Sequence, residues 1–193
     1  MVSMHSHEFD YSNRDTDDNK GIRYFSPVPP SFMQAIARKA IDTGADIFIG
    51  HGPHLLRGIE IYKGKPIFYS LANFGHMDDA LQPLPRDHFA LLGADPDVVT
   101  PAEFMHQWRE LLLNDPALLE SVVAVSRFDR GELREIRLYP IDLDAFGRAS
   151  RRGLPVLAGD EKAQAILKRL RDLSEPFGTS IIIAGGVGIV RVP

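Results

Sequence analysis

The chain has 193 residues, enough for one domain of ordinary size, and its 44% apolar and 25% charged composition is that of a globular protein rather than a disordered or fibrous one. A net charge of −4 argues against a nucleic-acid surface, which carries a basic excess. Cysteine is absent, which excludes disulfide scaffolds, thiolate zinc sites and cysteine nucleophiles, and no apolar run approaches the ~20 residues that cross a bilayer.

Met1 to Met4 alternates and reads as the end of a strand, followed at once by His5-Ser6-His7-Glu8. A chain that opens inside a strand carrying its chemistry reads as the back portion of something longer. Phe9 to Pro30 is polar and broken by Pro27, Pro29 and Pro30, a surface loop. Ser31 is placed to cap a helix. Its buried face is expected to hold Phe32, Ile36 and Ala40, with Met33, Ala37 and Ile41 beside them, and Gly44 ends it. Ala45 to Ile49 is a short apolar strand, so helix and strand form a βαβ unit with a covered parallel sheet. Gly58 to Tyr62 and Pro66 to Ser70, joined by Lys63-Gly64-Lys65, form a hairpin.

Residues 76–120 are punctuated by prolines and read as a helical insertion, with one amphipathic helix over Ala102–Leu113 carrying Phe104, Trp108, Leu111 and Leu112. A second hairpin joins Ser121–Phe128 to Leu133–Tyr139 across Asp129-Arg130-Gly131-Glu132. Asp160 is expected to cap a helix that buries Ala163, Ile166, Leu167, Leu170 and Leu173. Two closing strands, Ser180–Ile183 and Ile189–Val192, flank Gly185-Gly186-Val187-Gly188; no helix follows, so this is a turn rather than a dinucleotide loop. The fold class is mixed α/β in a single domain over residues 1–193.

Two histidine groups follow strand ends: His5 and His7, then His51 and His54. Neutral imidazole donates a lone pair without a full charge penalty, and it is the commonest side-chain ligand for zinc, iron and manganese. Gly50 and Gly52 let the second turn bend, and Pro53 stiffens it. In an open α/β sheet, ligands gather beyond the carboxyl ends of strands. A lone histidine after a strand is more often a surface residue, but four of seven histidines fall in these two turns. Glu8 could add an oxygen ligand or serve as acid or base, whereas Asp10 reads as part of a solvated loop. His76, His88 and His106 have no clustered partners and are expected to be structural. Asn73 sits at a strand end, able to donate to a substrate oxygen or to cap a turn. Arg57 could reach an anion near His54, or be solvated. Ser70 lacks the glycine elbow of a serine hydrolase.

The runs Gly44-Ala45-Asp46-Ile47-Phe48-Ile49-Gly50-His51-Gly52-Pro53-His54 and Gly58 to Phe74 closely resemble the capsule-synthesis CapA, or poly-gamma-glutamate biosynthesis, family. The opening Ser3-Met4-His5-Ser6-His7-Glu8 looks like that family's strand ending in histidine, and Arg152-Gly153-Leu154-Pro155 and Pro176-Phe177-Gly178-Thr179 fit one branch of it. The resemblance implies a calcineurin-like metallophosphatase fold, a two-sheet sandwich flanked by helices, incomplete here on its N-terminal side. It implies divalent metal (Mn, Zn or Fe) held by His5, His51 and His54, with catalytic roles for His5 and His54. His7, Glu8 and Asn73 are further candidates. It also implies an anionic small-molecule or polymer substrate and metal-assisted hydrolysis in a complete homologue.

The sequence departs from the family at Gly52, where many relatives carry histidine, and at Ala72, where glycine is usual. The family's early motifs, which bring aspartate, glutamate and asparagine, do not occur in these residues. That favours a second reading, a noncatalytic capsule-assembly or anionic-polymer binding module. Open sheet edges are expected to promote self-association. The residues leave the compartment open between cell envelope and cytoplasm.

Overall fold

The computed structural model describes residues 1–7, 26–77, 83–90, 92–113, 116–144, 147–148 and 150–192; Glu8, Asp10 and most of the 9–30 loop lie outside them. The chain is mixed α/β, with two sheets and flanking helices, in keeping with a two-sheet sandwich.

The first sheet holds β1 (Val2–His5), β2 (Phe48–His51), β3 (Ile59–Tyr62) and β4 (Lys65–Phe68) in the order β1-β2-β4-β3. β1 runs parallel to β2 and β2 parallel to β4, while β3 and β4 form the expected antiparallel hairpin. The crossover between β1 and β2 contains α1 (Ser31–Asp42). Pro30, in an extended conformation, precedes its first turn and no side chain caps it, so Ser31 is the first helical residue rather than the cap. The buried face is also narrower than the sequence reading. Met33, Ala37 and Ile41 pack with Phe48, Ile67 and Tyr69, whereas Phe32 and Ile36 stay exposed. Met33, Ala37 and Ile41 recur every four residues and form the single row that faces the sheet.

The second sheet is antiparallel: β5 (Glu120–Asp129), β6 (Glu132–Asp142), β9 (Val187–Arg191) and β8 (Ile182–Ala184), with the short β7 (Val156–Leu157) beside one end of β6. Three hairpins turn on paired positive-φ residues: Lys63-Gly64, Arg130-Gly131 and Gly185-Gly186. That backbone matches the right-handed twist of the strands it joins. α4 (Asp160–Ser174) starts from Gly159 without a side-chain cap, so Asp160 is inside the first turn, where its charge suits the helix dipole. It buries Ala163, Ile166, Leu167 and Leu170 as expected. With Ile59 and Phe68 of the first sheet, and Ile136, Leu138 and Val190 of the second, these α4 residues form the main core.

The 76–120 stretch contains two helices, α2 (Arg86–Ala90) and α3 (Pro101–Leu113). Phe104 is fully buried, its ring against Phe89 and Trp108. The side chains of Leu111 and Leu112 lie outside the described residues.

Candidate functional site

β1 and β2 pair in parallel with Val2 beside Phe48 and His5 beside His51. Because both strands end at the same level, the two histidines leave the sheet side by side. Their rings meet edge to face with centroids 4.8 Å apart, and the two Nδ1 atoms are 2.9 Å apart. Ser3 is two residues back on β1, and its Oγ is 3.0 Å from Nε2 of His51. When that nitrogen carries its proton to Ser3, the Nδ1 of His51 presents a lone pair toward His5.

The loops beyond the strands extend the group. The His7 ring stacks on His5 at 4.6 Å and meets the His54 ring edge-on at 5.0 Å. This approach depends on Gly52: its φ is +121°, and a Cβ there would run into the Ser6 carbonyl and touch the His7 ring. Histidine at this position would not fit the present backbone.

His54 itself stands at φ 57°. Its Nδ1 is 2.8 Å from Oδ1 of Asn73, so Nδ1 donates to the amide oxygen and Nε2 becomes the acceptor nitrogen. Asn73 in turn donates to the carbonyls of His54 and Leu118, tying the site loop to the segment before β5. Of the two roles considered for Asn73 from sequence, the structure shows the turn-bracing one, together with a hydrogen bond to the His54 ring.

Two expectations change, and one residue of the site was not foreseen. His76 is not isolated: its ring lies parallel to that of His54, at 6.5 Å. Its backbone N–H donates to the Gly153 carbonyl, and a Cβ at Gly153 would collide with the His76 carbonyl, so the Arg152-Gly153-Leu154-Pro155 loop seats directly on the site. Arg57 is not solvated. It is buried and donates from Nε and Nη2 to the Ser26 carbonyl. Ser3 was missed, although a hydroxyl two residues before His5 shares its face of the strand. His88 and His106 remain apart, against Phe104 and Arg109 respectively. The Ser70 hydroxyl is buried and accepts from the Ala72 N–H, a turn-bracing role.

Five imidazoles thus follow one another in a row, His51, His5, His7, His54 and His76, beyond the carboxyl ends of two parallel strands. The donor chemistry, ring nitrogens oriented by a hydroxyl and an amide, suits a borderline divalent cation. Among the described residues no three histidine, aspartate or glutamate side chains are grouped closely enough to hold such an ion outright.

Residues 23–77 match the family described as Bacterial capsule synthesis protein PGA_cap. Two Sinorhizobium fredii relatives, the uncharacterized proteins y4sH and y4uA, are each 48% identical over 178 residues, covering 87% of this chain and 38% of their own length. The chain therefore spans well under half of these relatives. The PGA biosynthesis protein CapA of Bacillus subtilis is 52% identical over 46 residues, and the Capsule biosynthesis protein CapA of Bacillus anthracis 48% over 46, each covering 24% of this chain and 12% and 11% of the relative. The segment that carries His51, His54, Asn73 and His76 therefore matches the capsule-synthesis family and is similar to CapA proteins, as its motifs had indicated.

Proposed function

We propose that this chain is the histidine-bearing part of a CapA-type capsule-biosynthesis protein that binds a divalent cation, Mn, Zn or Fe, at the ends of β1 and β2. In its complete form the protein hydrolyses an anionic small molecule or polymer. The observation that carries this reading is the facing pair of Nδ1 atoms of His5 and His51 on strands locked in register. A bound divalent ion would supply a water of lowered pKa and a Lewis acid for a phosphoryl or acyl oxygen.

The chain's own residues would do the rest. Ser3 orients His51, and Asn73 holds His54 in the tautomer whose Nε2 accepts. His51 and His54 are the ligand-side imidazoles. His5 sits between His51 and His7, placed either to ligate or to carry a proton at Nδ1.

The second reading, a noncatalytic module that binds an anionic polymer, is favoured by the absence of a carboxylate beside the imidazole pair among the described residues. Titration of tag-free protein with Zn²⁺ and Mn²⁺ by calorimetry separates the two. Binding that is lost in His51→Ala, and weakened about 10–100-fold in Ser3→Ala, supports the metal site. Phosphodiester turnover lost in His54→Ala then supports the hydrolase, and binding without turnover supports the module. Absence of metal binding overturns the cation reading.

A further inference from the structure

The outer face of the second sheet is not used by the site or the main core. On β5, β6, β9 and β8 the inward positions, such as Val122, Ile136, Leu138 and Val190, fill the core. Alternation sends their neighbours to the opposite face. Register then sorts those neighbours into two rows. One row runs Arg127–Glu135–Arg191, and the next Val125–Arg137–Ile189–Ile182.

Charge and apolar surface are interleaved here in an unusual way for a chain of net charge −4. Three guanidiniums surround one carboxylate. Glu135 is only 15% exposed and accepts from Nε of Arg137 at 2.8 Å. That hydrogen bond, then the charges of Arg137, Arg127 and Arg191, hold its carboxyl below the usual range. Beside this cationic row, Val125 and Ile182 are 51% and 54% exposed, on the solvent side of an antiparallel sheet. The far end of the same face is closed by the Leu119, Ile141 and Leu143 cluster, so the open part is bounded.

We propose that this face is a docking surface for an acidic polypeptide segment, one that sets carboxylates against Arg127 and Arg191 and aliphatic side chains against Val125 and Ile182. Charge complementarity selects the sign of the partner. The spacing selects its kind: a guanidinium alternates with an aliphatic side chain across the strands, which suits a chain that carries acidic and aliphatic residues together. Guanidiniums form planar paired hydrogen bonds with carboxylates, and the intervening aliphatics add desolvated contact.

The test uses the full chain and a short fluorescein-labelled peptide of mixed glutamate and valine, read by anisotropy. Binding should weaken with added salt and fall about tenfold or more in Arg127→Glu/Arg191→Glu, with metal titration at the histidines unchanged. If the charge reversal unfolds the chain by circular dichroism, Arg127→Gln/Arg191→Gln takes its place, with a smaller loss in the same direction. Unchanged affinity in a folded variant overturns the proposal. So does the lack of peptide binding at low salt, or capture by phosphatidylglycerol vesicles in place of the peptide.

Discussion

Ala72 and His54 both hold left-handed backbone, at φ 65° and 57°, on either side of the His54–Asn73 hydrogen bond. An L-residue with a Cβ is strained there by roughly 1–2 kcal/mol. Glycine would hold either conformation without that strain. Ala72→Gly should therefore stabilise the chain by about 0.5 kcal/mol net of the greater chain entropy of glycine, read as a higher urea midpoint with unchanged slope. The two histidine turns were legible in the sequence because ligand-type residues are dense and flanked by glycine. Ser3 and His76 were not. Ser3 reads as an ordinary strand residue until the register of β1 on β2 is known. His76 joins His54 only because a loop some 77 residues further on, at Gly153, presses on its backbone, and spacing carries no trace of that.

Among the elements, β3 is an edge strand whose outward N–H groups are closed by hydroxyls. Ser174 at the end of α4 accepts from Ile59, and Thr179 accepts from Ile61. The strand and helix end come close because Gly58 has no Cβ; one would strike the Leu173 carbonyl and the Phe177 ring. Thr179→Val keeps the shape, removes one acceptor from a buried N–H, and should cost about 1–2 kcal/mol by urea unfolding. The same side of the sheet carries a buried chain of polar groups. Tyr69 donates to Glu60 at 2.6 Å, and Arg38 donates to Glu60 from α1 at 2.9 Å.

Burial first, and the Glu60 carboxylate second, push the Tyr69 phenol well above its ordinary value of 10.0. The folded state thus keeps a proton that the unfolded chain loses near pH 10. The contribution is complete below that pH and is lost as pH rises, by about 1.4 kcal/mol per unit. Tyr69→Phe should be less stable at neutral pH yet lose less stability between pH 10 and 11 than the parent, measured as paired urea midpoints. None of this network was read from sequence, since Glu60 and Tyr69 each look like ordinary strand residues. The hairpins and helices were legible, because turn chemistry and periodicity act locally. The buried face of α1 was misread as too wide because Phe32 and Ile36 are as apolar as Met33 and Ile41 beside them, and apolarity alone does not say which row meets the sheet.

At the scale of the molecule, the two ends of the first sheet differ. β3 is closed by hydroxyls, whereas β1 pairs only with β2 among the described residues, beside exposed Met1 and Val2. An unprotected strand edge invites pairing with another chain. The isolated protein is expected to self-associate through this edge, and Val2→Lys to shift it toward monomer in light scattering. A monodisperse parent protein would refute this.

The alignment of His5 with His51 has one more implication. These rings belong to strands 46 residues apart that know nothing of each other until the intervening helix has crossed over and the ladder has closed. A single step of slippage along either strand would carry one imidazole to the opposite side of the sheet. Any small cation that bridged both rings would accordingly act as a latch on the finished fold, drawing the population toward the native state in proportion to its concentration.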